Sequence, residues 1–85
     1  MRFYYVYVLF NKQKKFIYIG YSENLKQRIR EHNSGKSKST KHYAPLKLIF
    51  YEAYLVSSDA KRREKYLKSN KGRTTLMTML KDFFK

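Results

Sequence analysis

Three groups of residues in this chain have the types and spacing to do chemistry. Arg28 and His32 stand at i and i+4 beside Leu25 and Ile29. On a helix, that places a cation and an imidazole at the margin of one apolar stripe, aimed at one small volume. The same pair also suits two side chains that snorkel to solvent from the stripe's edge. Glu64 is one of only six acidic residues and sits inside Lys61-Arg-Arg-Glu-Lys65. Surrounded by cations it is ionised, the form a metal ligand needs; a surface ion pair with a neighbour three or four residues away accounts for it equally. Tyrosine occurs nine times. Tyr5 and Tyr7 share one face of a strand, with Tyr4 on the other and Tyr18 on a partner strand. Most strand tyrosines are packing residues with a solvated hydroxyl. A phenol beside a cation-rich site would titrate below its ordinary value of about 10 and could act as a general base.

These residues need elements to hold them. Residues 3–10 are dense in aromatic and β-branched side chains and read as a strand, too uniformly apolar for alternation to say whether one face or both are covered. A polar turn follows at 11–15, then a second strand at 16–20, together a hairpin with a loop of about five residues. Gly20 is expected to end that strand where backbone freedom is useful. Ser22 reads as an N-cap with Glu23 in the first turn, and Asn33-Ser34-Gly35 as the stop of the helix that carries Arg28 and His32. Residues 35–45 form a basic loop, and residues 46–54 a third strand. Ser57 or Ser58 can cap a second helix running to about Ser69, with Ala60, Glu64 and Leu67 on one side and Lys61, Lys65 and Lys68 on another. Gly72 is expected to break it, and Thr74 or Thr75 to start a short last helix with Leu76, Met79, Leu80 and Phe83 as its apolar stripe. The expected fold class is α+β, a single β-β-α-β-α-α domain over residues 1–85 with a three-stranded antiparallel sheet flanked by helices.

Composition bounds the partner. Twenty Lys and Arg against six Asp and Glu give a net charge of +14, which calls for a polyanion. The absence of cysteine excludes disulfide scaffolds, thiolate catalysis and Cys-based zinc sites. No apolar run approaches the roughly 20 residues of a membrane helix, and the opening stretch reads as a strand with no cleavage site behind it. The expectation is an intracellular, cytoplasmic domain facing nucleic acid, with no membrane partner. Lys36, Lys38, Lys41 and His42 on the loop, with Lys61, Arg62, Lys65, Lys68, Lys71 and Arg73, can supply phosphate contacts that position a duplex without reading its sequence.

Tyr5-Val6-Tyr7, ten intervening residues and Tyr18-Ile19-Gly20 resemble the paired signature of the GIY-YIG nuclease superfamily. Arg28 falls eight residues after Gly20 and His32 twelve, as on that family's arginine-bearing helix, and Glu64 lies where the family carries a metal-binding glutamate. Five elements in order cover residues 3 to about 72. In size the chain is similar to the small stand-alone bacterial members, the YhbQ-like or UPF0213-type proteins. The resemblance implies a Mg²⁺- or Mn²⁺-dependent phosphodiesterase that nicks DNA, with branched or damaged DNA in repair or recombination as candidate substrates. In that scheme Tyr7 is the general base and Tyr18 orients it. Arg28 binds the scissile phosphate, His32 relays a proton, and Glu64 is the one protein ligand to the metal. Tyr5 stands where the signature has its first glycine. Asn70 is the one candidate for an asparagine that many members use downstream of the glutamate.

Two readings of different class compete: a metal-dependent DNA endonuclease, and a non-catalytic nucleic-acid-binding adaptor on the same fold. Binding alone does not need a carboxylate beside phosphate, which favours the first. The chain is expected to be a monomer or a weak dimer paired through a sheet edge.

Overall fold

The computed structural model describes residues 2–85. Its elements run β1 (Tyr4–Asn11), β2 (Phe16–Ser22), α1 (Leu25–Asn33), β3 (Lys47–Tyr54), α2 (Ser57–Lys68) and α3 (Asn70–Met79). The strands form one antiparallel sheet in the order β2-β1-β3, with Tyr7 opposite Gly20 on one side and Tyr51 on the other. The α+β class and the β-β-α-β-α-α order are as the sequence predicts.

The apolar run in β1 is buried on both faces because its alternate side chains meet different helices. Val6, Val8 and Ile19 pack with Ala60, Leu67 and Leu76 of α2 and α3. Tyr7 and Leu9 point the other way and pack with Leu46 and with Leu25 and Ile29 of α1. Two small cores thus share one central strand, which fixes the heights of α1 and α2 relative to Tyr7. Between Val8 and Leu9 the pairing with β3 slips by one residue, leaving Ile49 as a bulge.

Several boundaries differ from the sequence expectation, each for a local reason. Strand β2 runs past Gly20 to Ser22, which pairs with Tyr5. Ser22 is therefore in the sheet, and Asn24 caps α1 by accepting from the Gln27 backbone N–H at 3.2 Å. Ser22 Oγ accepts from the Asn24 N–H, and Glu23 sits ahead of the helix on Arg2, at 2.8 Å. Both Ser57 and Ser58 lie inside α2, whose N-cap is Val56, without a side-chain bond. The predicted stripe of the last helix is split: Leu76 and Leu80 join the core, whereas Met79 is exposed and Phe83 packs on Phe10.

Gly72 does not break α2. Ser69, extended at φ −74°, ψ 162°, does, and its Oγ accepts from the Gly72 N–H at 3.0 Å to cap α3. Gly72 lies in the first turn of α3, where a Cβ would come within 1.8 Å of the Tyr66 carbonyl oxygen. The missing side chain lets α3 fold back tightly on the end of α2. Gly72→Ala is expected to cost about 3 kcal/mol or more, because the obstacle is backbone and cannot rotate away. Thermal unfolding should show Tm lowered by more than about 10 °C; a shift of a few degrees would mean that the helix junction yields.

Candidate active site

The site is built around a gap. Tyr7 is 1% exposed in mid-β1, and its cross-strand neighbour is Gly20. A Cβ on Gly20 would lie 2.4 Å from Cζ and Oη of Tyr7 and 2.9 Å from the Tyr18 ring. The requirement for glycine is thus close approach and not chain reversal, which corrects the expectation that Gly20 ends a strand. Through this gap the Tyr7 ring crosses β2, and its hydroxyl meets His32 Nε2 at 2.8 Å. His32 Nδ1 in turn meets Thr40 Oγ1 at 2.6 Å, and both residues are fully buried. Tyr18 lies against both rings, 6.2 Å from Tyr7 and 4.9 Å from His32 between centroids.

Burial sets the protonation of this line. The Tyr7 hydroxyl is pushed up to about 12, chiefly because burial penalises the phenolate and further by the neighbouring Tyr18; the Arg28 charge opposes this, and Glu64 adds to it. This overturns the expectation of a low-titrating phenol: desolvation outweighs the nearby cation. His32 is held below its ordinary value by burial first and by Arg28 second, with Glu31 acting the other way. At neutral pH the pair is therefore a protonated phenol and a neutral imidazole. That pairing lets Nε2 accept from the Tyr7 O–H while Nδ1–H donates to Thr40.

The low His32 value has a stability consequence. The unfolded chain takes up the proton near pH 6.5 and the folded chain only below that. The stabilisation is thus complete above about pH 6.5 and is lost as pH falls toward the folded value. In urea titrations, the advantage of wild type over His32→Gln should shrink below pH 6.5 by up to about 1.4 kcal/mol per pH unit. A difference that stays constant from pH 7.5 to 5 would contradict a neutral buried imidazole.

Arg28 lies at the rim of this pocket, with its Nη1 2.8 Å from Glu31 Oε1 and both side chains about one-third exposed. That bond raises the guanidinium and lowers the carboxyl. Arg28 is thus charged, partly open and close enough to Tyr7 to act on its hydroxyl. Glu64 arrives from α2. Its carboxylate is 21% exposed, receives Lys68 Nζ at 2.9 Å, and has its charge felt at both Tyr7 and Tyr21. The Tyr21 hydroxyl is buried without a hydrogen-bond partner among the described residues. No group of three His, Cys, Asp or Glu exists among those residues. A cation at Glu64 would therefore have few protein ligands and fill most of its positions with water and phosphate oxygen. That suits Mg²⁺ or Mn²⁺.

The expected phosphate contacts Lys36, Lys38, Lys41, Lys61, Arg62, Lys65, Lys68, Lys71 and Arg73 are all exposed. Two of them are engaged, Arg62 with Asp59 and Lys68 with Glu64. Asn70 opens α3 and is exposed, with no side-chain bond to the site among the described residues. Tyr5, in the place of the signature's first glycine, packs edge-on against Tyr51 at 6.0 Å and leaves the Tyr7 pocket alone. Sequence reasoning missed Thr40 and Glu31. Thr40 lies in a loop that reads as solvated polar chain, although Phe16 stacks on Tyr43 at 3.8 Å and Asn33 brackets the Leu46 backbone to pin that loop down. The spacing of Glu31 three residues after Arg28 was the available signal for that pair.

Among the described residues no helix is long and apolar enough to cross a membrane. Residues 3–78 match the family model of the GIY-YIG catalytic domain. A UPF0213 protein of Clostridium perfringens is 38% identical over 65 residues, covering 75% of this chain and 69% of that one. Another from Staphylococcus haemolyticus is 39% identical over 66 residues, covering 76% and 79%. The solution structure of a UPF0213 protein from Bacillus halodurans superposes with a TM-score of 0.57 at 31% identity, covering 91% of this chain and 84% of its own. On this match and this fold, the chain belongs to the GIY-YIG family, a family of nuclease catalytic domains.

Proposed function

We propose that this chain is a divalent-metal-dependent DNA endonuclease that hydrolyses one phosphodiester at a time. The observation that carries the reading is the hydrogen-bonded line Tyr7–His32–Thr40, reached through the gap at Gly20, with the Arg28 cation and the Glu64 carboxylate close enough to act on the Tyr7 hydroxyl. A phenol near 12 is a poor base alone. Paired with a neutral imidazole, it can take a proton from the attacking water as its own proton passes to Nε2. Thr40 Oγ1 holds the ring by accepting from Nδ1–H, so the proton arrives on a fixed acceptor. Tyr18 keeps both rings in place by packing. Arg28 exchanges part of its Glu31 contact for the scissile phosphate and offsets the charge that grows on it. Glu64 would hold Mg²⁺ or Mn²⁺, which when bound supplies Lewis-acid stabilisation of the phosphate and the departing oxygen.

DNA is the proposed substrate because exposed cations lie on the elements that supply this site: Lys36, Lys38 and Lys41 on the loop that carries Thr40, and Lys61 and Lys65 on α2, which carries Glu64. Lys36, Lys38, Lys41, Lys61, Lys65, Lys71 and Arg73 take part in no ion pair among the described residues. In metal-free buffer, the slope of log affinity against log salt should be steeper than about −3, with little preference between sequences. A slope flatter than about −1 would remove the electrostatic basis for this surface.

The reading is tested with purified chain on supercoiled plasmid and on branched DNA. Nicking is expected in Mg²⁺ or Mn²⁺ and none in chelator. Tight DNA binding without cleavage on any substrate would favour the adaptor reading in its place. A role in repair or recombination follows only if branched or damaged DNA is cut in preference to plain duplex.

A further inference from the structure

A second feature of the surface is unused by the catalytic site. Where β1 leaves the sheet, Phe10, Phe83 and Phe84 form a triangle of rings with centroids 5.1–5.7 Å apart, each edge-on to the next at 77–83°. Each edge-on contact covers a face of one ring of the pair, and Phe83 is still 45% exposed. These rings line a cleft of about 730 Å³, within the usual range for a ligand site. Its polar rim carries Lys12, Lys15, Lys47 and Lys85 and no acidic residue. None of these lysines takes part in an ion pair among the described residues. Aromatic faces beside uncompensated cations match a ligand that is flat and apolar on one part and anionic on another.

We propose that this cleft binds an unpaired nucleotide of a single-stranded DNA segment, its base stacked on Phe83 and its phosphates held by Lys12, Lys15 and Lys47. The inference rests on DNA being the ligand of this chain, and it adds a preference for single-stranded or frayed regions. Bases stacked on an aromatic platform inside a basic groove are the general basis of sequence-tolerant single-strand binding. A base inside a duplex has both faces stacked on its neighbours, so the cleft discriminates against intact duplex. The placement is suitable. Asn11, at the cleft, is four residues beyond Tyr7 on β1, about 13 Å at strand rise. Lys14 donates to the His42 carbonyl, so the hairpin turn is tied to the loop carrying Lys36, Lys38 and Lys41. One strand could follow cations from the catalytic pocket to the cleft.

The test measures binding in chelator, so its outcome does not depend on whether the chain cleaves. Labelled oligothymidylate, oligouridylate and a blunt duplex are titrated into full chain at about 50 mM salt. Phe83→Leu keeps an apolar contact with Phe10 but removes the π face. It should weaken oligothymidylate binding about 5–100-fold, the worth of one stacked base, and leave duplex binding within about twofold. Lys12→Gln/Lys15→Gln/Lys47→Gln should flatten the single-strand salt slope by about 2. Should Phe83→Leu fail to fold, thymidine monophosphate titrated into wild type should shift the ring resonances of Phe10, Phe83 and Phe84. Equal losses on single strand and duplex, or an unmoved aromatic cluster, would overturn the proposal. So would tighter binding of oligouridylate at this cleft, which would assign it to RNA. A concentration-dependent dimer abolished by Phe83→Leu would overturn it by giving the cleft to a second copy of the chain.

Discussion

Tyr7→Phe should lower the rate of metal-dependent nicking by about 10²–10⁴-fold, the usual worth of a positioned general base, and leave fold and DNA affinity nearly unchanged. The ring fills the gap over Gly20 and belongs to the core with Leu9 and Leu46. Phenylalanine retains that packing and removes only the oxygen that joins the pocket to His32. Because the hydroxyl is buried and pushed up to about 12, wild-type activity depends on the imidazole beyond it. The residual rate of Tyr7→Phe should therefore lose wild type's dependence on His32 protonation. Rates measured from pH 5 to 9 check both points. A variant within tenfold of wild type would show that the proton leaves by another route.

Glu64→Gln is the second large effect. The substitution keeps size and hydrogen-bonding capacity and deletes the carboxylate whose charge reaches Tyr7, so cleavage should fall by at least about 10³-fold, a loss of roughly 4 kcal/mol of transition-state stabilisation. It also frees Lys68 from its 2.9 Å ion pair. DNA affinity in chelator should accordingly hold or rise slightly, which separates loss of metal from loss of DNA. Mn²⁺ binding followed by paramagnetic resonance supplies a readout independent of turnover: wild type should bind the ion and Glu64→Gln should not. Mn²⁺ bound equally by both would move the metal away from Glu64.

Most of the architecture is legible because β1 is so strongly apolar and the two helices so clearly amphipathic. Periodicity puts Leu25 and Ile29 on one stripe of α1 and Ala60 and Leu67 on one side of α2; that the two stripes meet different cores is seen only in the fold. What it does not determine are choices made by tertiary pairing. Ser22 and Asn24 are both good caps, and the pairing of Ser22 with Tyr5 decides for Asn24. Gly72 looks like a breaker, but its role is the approach of α3 to the Tyr66 carbonyl, which no local signal encodes. The same limit applies at the site. The order of Tyr7, Tyr18, Arg28, His32 and Glu64 along the chain is visible; the direction of the Tyr7 shift is not, because it depends on how much water the fold removes. Thr40 was invisible for a related reason. A threonine among lysines reads as solvated until the loop closes over His32.

The central claim is that the buried phenol–imidazole line and the carboxylate beside it form one hydrolytic site. It is tested most directly by plasmid nicking in Mg²⁺ or Mn²⁺ with wild type, Tyr7→Phe and Glu64→Gln prepared identically. The expected result is open-circle product from wild type alone, absent in chelator and reduced at least a hundredfold in each variant. Nicking of equal rate in all three preparations would contradict it.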